Sequence, residues 1–271
     1  MSSMDTYRKL EALTRKRSFY LLILLIPAIL PPFAASGLGY LWRLGDFIQV
    51  VASDLYAVKA VYAPYMPVLH LFVVLLLLAL ILLRGRFGRA FALLVALNLI
   101  LTLFVQAGVR TDPYGLVILT ELFLWYLIVI VLWIWEACVR RTDFSFKAGT
   151  LRPYWLIPLA VIAFWDPDQA WNLSLSFFVH GFAPTAFCMV TPIYLTVLLF
   201  AFPRVNLPLL RVHGFMGVVV GLISFAISFM QEPSAGLYWG LLHMPLLIIS
   251  WYAFRLGMKT VPVPEAGRAP E

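Results

Sequence analysis

Four ionisable side chains sit where an apolar chain should carry none. Glu121, His180 and His243 fall inside long hydrophobic runs, and His70 falls about one turn inside another. An ionisable group in such a run is costly unless it is partnered or lines a polar cavity, so each is a candidate for ligand recognition or proton relay. Glu121 would supply a buried carboxyl and His180 a hydrogen-bonding or proton-exchanging imidazole. Ser176 precedes His180 by one turn and shares its face. Asn98, Thr102 and Gln106 recur at four-residue spacing, which aligns them on one side of a helix. That stripe reads as packing glue first, with Gln106 the member placed to reach a site. Pro184 and Pro192 follow His180, and kinks there would free backbone carbonyls beside it. The plain alternative for each histidine is an interhelical hydrogen bond. His213, beside Arg211, reads as structural, and Asp166 and Asp168 read as a turn built around Pro167.

Several chemistries are excluded. No lysine lies inside an apolar run, so a retinal Schiff base has no attachment point, and neither HExxH nor HxxxH occurs for a zinc hydrolase. No GxSG element is set in a span for an intramembrane serine protease. His180 and His243 are the pair whose depth would suit axial ligation of a b-type haem, yet little beside them would hold propionates; no cofactor or metal is expected. Cys138 and Cys188 form no CxxC and read as small buried hydrophobes. The basic residues sit in short loops without interleaved aromatics, which argues against nucleic acid.

The elements that must position these residues are membrane spans. The chain is 63% hydrophobic and 12% charged, about half the charge of a soluble domain. Charge-free runs of about twenty residues can each cross a hydrocarbon core. Eight are expected, over 18–40, 66–84, 88–109, 114–138, 153–165, 171–202, 208–230 and 236–257. The fifth is short for a perpendicular crossing. With the N-terminus inside, 17 of the 20 Lys and Arg fall on the inner side, and Arg43, Lys59 and Arg110 alone fall outside. The fold class is therefore an all-α polytopic helical bundle in the cytoplasmic membrane with both termini cytoplasmic. Residues 1–17 form an amphipathic tail, 18–257 the eight-span domain and 258–271 a polar, proline-rich tail. The outer loop after Leu41 has the spacing of a helix lying on the membrane surface. Gly214, Gly217, Gly221, Ser224 and Ser228 make a small-residue face suited to close helix packing. Under this topology Glu121, His180, His243, His70 and Gln106 all lie in the outer half of the bilayer.

The Trp165-Asp166-Pro167-Asp168 turn, Phe177-Phe178-Val179-His180-Gly181 and Tyr194-Leu195-Thr196-Val197 resemble the bacterial YwaF family of integral membrane proteins. Tyr65-Met66-Pro67-Val68-Leu69-His70 is similar to that family's proline and histidine entry to an early span. The resemblance implies a shared fold and a buried histidine site. A eukaryotic relative of the family is a lipid acyltransferase whose cysteine follows the early histidine; Phe72 and its neighbours offer no thiol, so that activity does not carry over. Ser224 and Ser228 stand where the family has an asparagine-rich segment.

The leading expectation is an outward-opening polar pocket, lined by Glu121, His180 and His243 with His70, Gln106 and Ser176, that binds or moves a lipid-like or small amphiphilic ligand, with proton coupling. Two alternatives stand beside it: a structural subunit of a larger membrane complex, and an intramembrane lipid-modifying enzyme with His180 as general base. Membrane lipids, and for the structural subunit other membrane subunits, are the expected partners.

Overall fold

Prolines and glycines punctuate the apolar runs, and helices form between them. The computed structural model describes residues 3–30, 33–36, 39–41, 61–111, 115–146, 153–165, 174–231 and 236–259. Helices α1 (Ser3–Leu13) and α2 (Arg17–Ala28) open the chain. Pro31-Pro32 follows α2 in sequence, and a proline pair cannot continue a helix. Strands β1 (Phe33–Ala35) and β2 (Gly39–Leu41) come next. Helix α3 (Met66–Leu83) passes through the 3-10 turn Arg84–Phe87 into α4 (Gly88–Ala107). Strands β3 (Gly108–Thr111) and β4 (Gly115–Leu119) lead into α5 (Thr120–Val139). Helix α6 (Leu156–Trp165), α7 (Leu175–His180) and a 3-10 turn (Ala183–Thr185) precede α8 (Phe187–Ala201). Helices α9 (Leu207–Gln231), α10 (Gly236–Leu242) and α11 (Met244–Met258) complete the described chain.

The fold is predominantly helical, and its long apolar helices suit a membrane protein. Four helical segments, 63–107, 120–139, 207–229 and 240–258, are long and apolar enough to cross a membrane. The pair 178–185 and 187–201 makes a fifth if its 81° bend is counted within one span. The first segment is itself α3 and α4, of 18 and 20 residues. With 10 residues, α6 extends only about 15 Å, roughly half a hydrocarbon core.

Two expected spans take a different form. The run 18–40 is helical only to Ala28, because the proline pair ends it and an antiparallel sheet of order β2-β1-β4-β3 follows. The run 114–138 starts as β4, so α5 begins at Thr120. Leu116, Val117, Ile118 and Leu119 are as good a strand as a helix by apolar pattern, and tertiary pairing decides. Ala35 pairs with Val117 and Ser36 closes the edge, its Oγ accepting from the Leu116 N–H at 2.8 Å. The surface helix expected after Leu41 lies almost wholly outside the described residues, as do Asp166 and Asp168.

One apolar core joins α4, α5, α8, α9 and α11, with Trp133, Tyr194, Phe91 and Leu195 fully buried. The small-residue face of α9 seats against α11. A Cβ on Gly214 would meet the Phe254 nitrogen at 2.8 Å, and one on Gly217 would meet the Ser250 Cβ at 2.8 Å. Only glycine lets these two backbones approach so closely. At the end of this pair Arg211, wholly buried, donates from Nε to the Gly257 carbonyl at 2.6 Å and from Nη1 to the Glu11 carbonyl at 3.2 Å. It ties α1 and the last turn of α11 to the same end of the bundle. Arg204, paired to Asp143 at 3.0 Å, and the Gly85–Ser145 contact add to the same basic end.

Candidate functional site

The break between α7 and α8 leaves backbone groups without helical partners in an apolar setting, where each must be satisfied by the protein. The aligned stripe on α4 does this. Asn98 Nδ2 donates to the Pro184 carbonyl at 3.0 Å, and its Oδ1 accepts from the Tyr194 hydroxyl at 2.7 Å. Two turns along, Gln106 Oε1 accepts from the N–H of Phe187, the first residue of α8, at 2.8 Å and from the Tyr126 hydroxyl. Thr102 donates to the Asn98 carbonyl at 2.9 Å. Gln106 is thus a cap delivered from a neighbouring helix, and its oxygen is fully engaged.

His70 stands on the other side of the break. It is 2% exposed, on α3, with the rings of Phe164 from α6 and Phe178 from α7 at centroid distances of 5.1 and 5.5 Å. Its Nδ1 lies 3.0 Å from the Met66 carbonyl, and since a carbonyl only accepts, Nδ1 carries the proton. In the neutral ring Nε2 then presents a lone pair. That atom is buried and has no hydrogen-bond partner among the described residues. Thr185, in the turn between α7 and α8, donates to the Met66 sulfur at 3.9 Å, so the start of α3 touches the break itself.

His180 ends α7, two residues beyond Phe178, and is exposed. Its Nδ1 lies 3.1 Å from the Ser176 carbonyl, the same self-capping arrangement as in His70. Ser176 therefore contributes its backbone, and its own side chain is exposed. Glu121 and His243 are placed elsewhere. Glu121 occupies the first turn of α5, half-buried, and not two turns inside a span, because β4 takes the residues before it. His243 is the N-cap residue of α11, at the junction with α10, with its N–H donating to the Gly240 carbonyl at 3.0 Å. The structure sets His70 against Phe178 of α7, the helix that also carries the exposed Ser176 and His180, and sets Gln106 at the start of α8.

Two buried polar centres stand outside the expected set. His213, deep in the core rather than near a surface, accepts at Nδ1 from the Trp133 N–H at 3.2 Å, which leaves Nε2–H for the Thr191 hydroxyl at 3.4 Å. Glu136, 1% exposed near the end of α5, accepts from the Thr142 N–H and from Asn206 Nδ2, both at 2.7 Å. Its signal in the sequence is an acid inside the apolar run Trp133–Cys138, four residues before Arg140-Arg141. Arg140 then adopts a left-handed conformation, φ 52° and ψ 51°, to end the helix. Glycine or asparagine usually takes that place, and an arginine there costs about 1–2 kcal/mol.

No family model, curated protein or solved structure matches the chain.

Proposed function

We propose that the protein is an eight-span protein of the cytoplasmic membrane, with both termini inside, that holds the polar end of a lipid-like or small amphiphilic ligand at its broken sixth span. The observation that carries this reading is the buried Nε2 of His70, which has no partner among the described residues. A buried acceptor without a partner costs about 1–3 kcal/mol, so its retention beside a break in a span argues for a donor that arrives from outside the chain. A ligand hydroxyl or amine would donate to Nε2, with Phe164 and Phe178 flanking its apolar portion. His180, exposed at the end of α7, stands at the mouth, and its imidazole can exchange protons with the surroundings. The stretches involved, 65–70 and 177–181, are also those that resemble the YwaF family. Glu121 and His243 stand apart from this site in the proposal.

The test uses the full chain in nanodiscs containing a diacylglycerol analogue with a photoreactive diazirine. Crosslinks are expected to map to α3 near His70 and to α7. His70→Phe, which keeps the ring and removes the lone pair, is expected to lower crosslinking about tenfold without loss of folding. Crosslinks that stay in place in the folded variant would remove the proposal.

A further inference from the structure

At the basic end, the turn Arg84–Phe87 and the start of α4 face the segment that follows α5 across a cleft of about 390 Å³. Arg86, Arg89 and Arg140 line it together with Glu136, Thr142 and Phe144. All three arginines are exposed, and among the described residues none is paired with a carboxylate. Glu136 is the one acid in the lining, and its two oxygens are already engaged by Thr142 and Asn206. The cleft therefore carries a formal excess of two positive charges. Gly85 and Gly88 are part of the lining, and Gly88 lets Phe144 pack closely on α4, since a Cβ there would fall 2.6 Å from its ring. One turn along α4 from Arg89, Leu93 is also in the lining and is 44% exposed on the apolar surface of the bundle. Guanidinium groups thus come from both walls, and the α4 wall continues past Leu93 onto the lipid-facing side.

Arginine at 140 is the informative choice. The helix end needs a left-handed residue, glycine meets that need without strain, and the chain instead places an arginine there, in the lining of the cleft. Guanidinium forks match phosphate oxygens in geometry and charge.

We infer that this cleft is a binding site for a phosphate-bearing group, the headgroup of an anionic lipid entering past Leu93 being the ligand that its two walls fit. The inference is independent of the His70 site, which lies toward the other end of α3. The test is native mass spectrometry of the full chain in detergent, titrated with dioctanoyl phosphatidic acid and, in parallel, dioctanoyl phosphatidylcholine. Phosphatidic acid is expected to bind at least tenfold more tightly. Joint replacement of Arg86, Arg89 and Arg140 by Gln should weaken it at least tenfold, whereas Arg255→Gln, at the same end but outside the cleft, should change it less than twofold. Arg140→Gly guards against misfolding: it relieves the backbone strain, so the melting temperature should hold or rise while binding falls about fivefold. Displacement by millimolar inorganic phosphate would support the site as one for phosphate in general, and lipid binding without displacement would support a lipid site. Equal binding of the two lipids, or equal loss in Arg255→Gln and the triple variant, would overturn the inference.

Discussion

The Tyr194 hydroxyl donates to Asn98 Oδ1 at 2.7 Å, across 96 residues of chain, while the same amide reaches the Pro184 carbonyl with its nitrogen. One side chain on an unbroken helix thereby holds both the turn between α7 and α8 and the helix that follows it.

Asn98→Leu should expose this dependence. It removes two interhelical hydrogen bonds and leaves a phenol and a carbonyl unsatisfied in an apolar setting. Such bonds contribute about 0.6–1.7 kcal/mol each in membrane proteins, so a loss of roughly 1–3 kcal/mol is expected in a detergent unfolding titration. Tyr194→Phe alone should cost less, and the two changes together should cost less than their sum, because they share one bond.

How much of this was legible follows from which interactions are local. The stripe Asn98, Thr102 and Gln106 was readable from spacing alone, as was a disruption after His180-Gly181 with Pro184 following. The object the stripe serves was not readable, since Asn98 and Pro184 are brought together only by tertiary packing. Glu121 was set too deep because Leu116–Leu119 is apolar enough for a helix, and the competing choice is made by pairing with β1, whose residues lie far earlier in the chain. The role of Glu136 is not legible for a related reason: its partners Thr142 and Asn206 sit in a polar loop and at a helix start, and nothing local marks them as its ligands. The small-residue face of α9 was legible because glycine at helical spacing has few other uses in an apolar helix.

That face makes a ranked prediction. A methyl group at Gly214 meets backbone atoms of Phe254 and Ser250, which cannot turn aside, whereas at Gly221 it meets the tip of the Leu247 side chain at 2.8 Å. Gly214→Ala should therefore destabilise by about 2–3 kcal/mol and Gly221→Ala by about 1 kcal/mol or less. Thermal unfolding of the purified variants checks the order; a larger effect at Gly221 would contradict the packing.

Arg211 joins α1 to the end of α11 through three hydrogen bonds from a planar guanidinium, a geometry that a lysine lacks. Arg211→Lys should lose the Gly257 and Glu11 carbonyl contacts at 2.6 and 3.2 Å and destabilise by about 2–4 kcal/mol. The first sign should be local. Limited proteolysis within residues 3–13 should accelerate before the remainder of the bundle becomes sensitive.

Tyr7 supplies a pH test of the same docking. It stacks on Trp135 at 5.9 Å, with the Arg141 guanidinium 4.7 Å from its ring centroid. Burial first, and the neighbouring Glu11 second, push its phenol above the usual value of 10.0. The folded state then binds the proton more tightly than the unfolded state. Its contribution is complete below about pH 10 and is lost as pH rises through the folded value. Docking of α1, followed by Trp fluorescence or proteolysis, should weaken on the alkaline side, and Tyr7→Phe should flatten that dependence.

Glu136 allows the sharpest test of a buried acceptor. Both of its oxygens accept, one from a backbone N–H and one from the Asn206 amide, so a glutamine fits the space but must turn an NH2 group toward one of these donors. Glu136→Gln should cost about 1–3 kcal/mol even though size and shape are kept. Asn206→Asp supplies the missing acceptor, and it also keeps the oxygen that accepts from the Leu209 N–H at 3.3 Å and starts α9. The double variant Glu136→Gln with Asn206→Asp should therefore recover most of the loss, whereas Asn206→Asp alone, which sets a second carboxylate against that of Glu136, should be the worst of the three. A measured order with the double variant lowest would mean that the 2.7 Å contact does not govern stability at this end of the bundle.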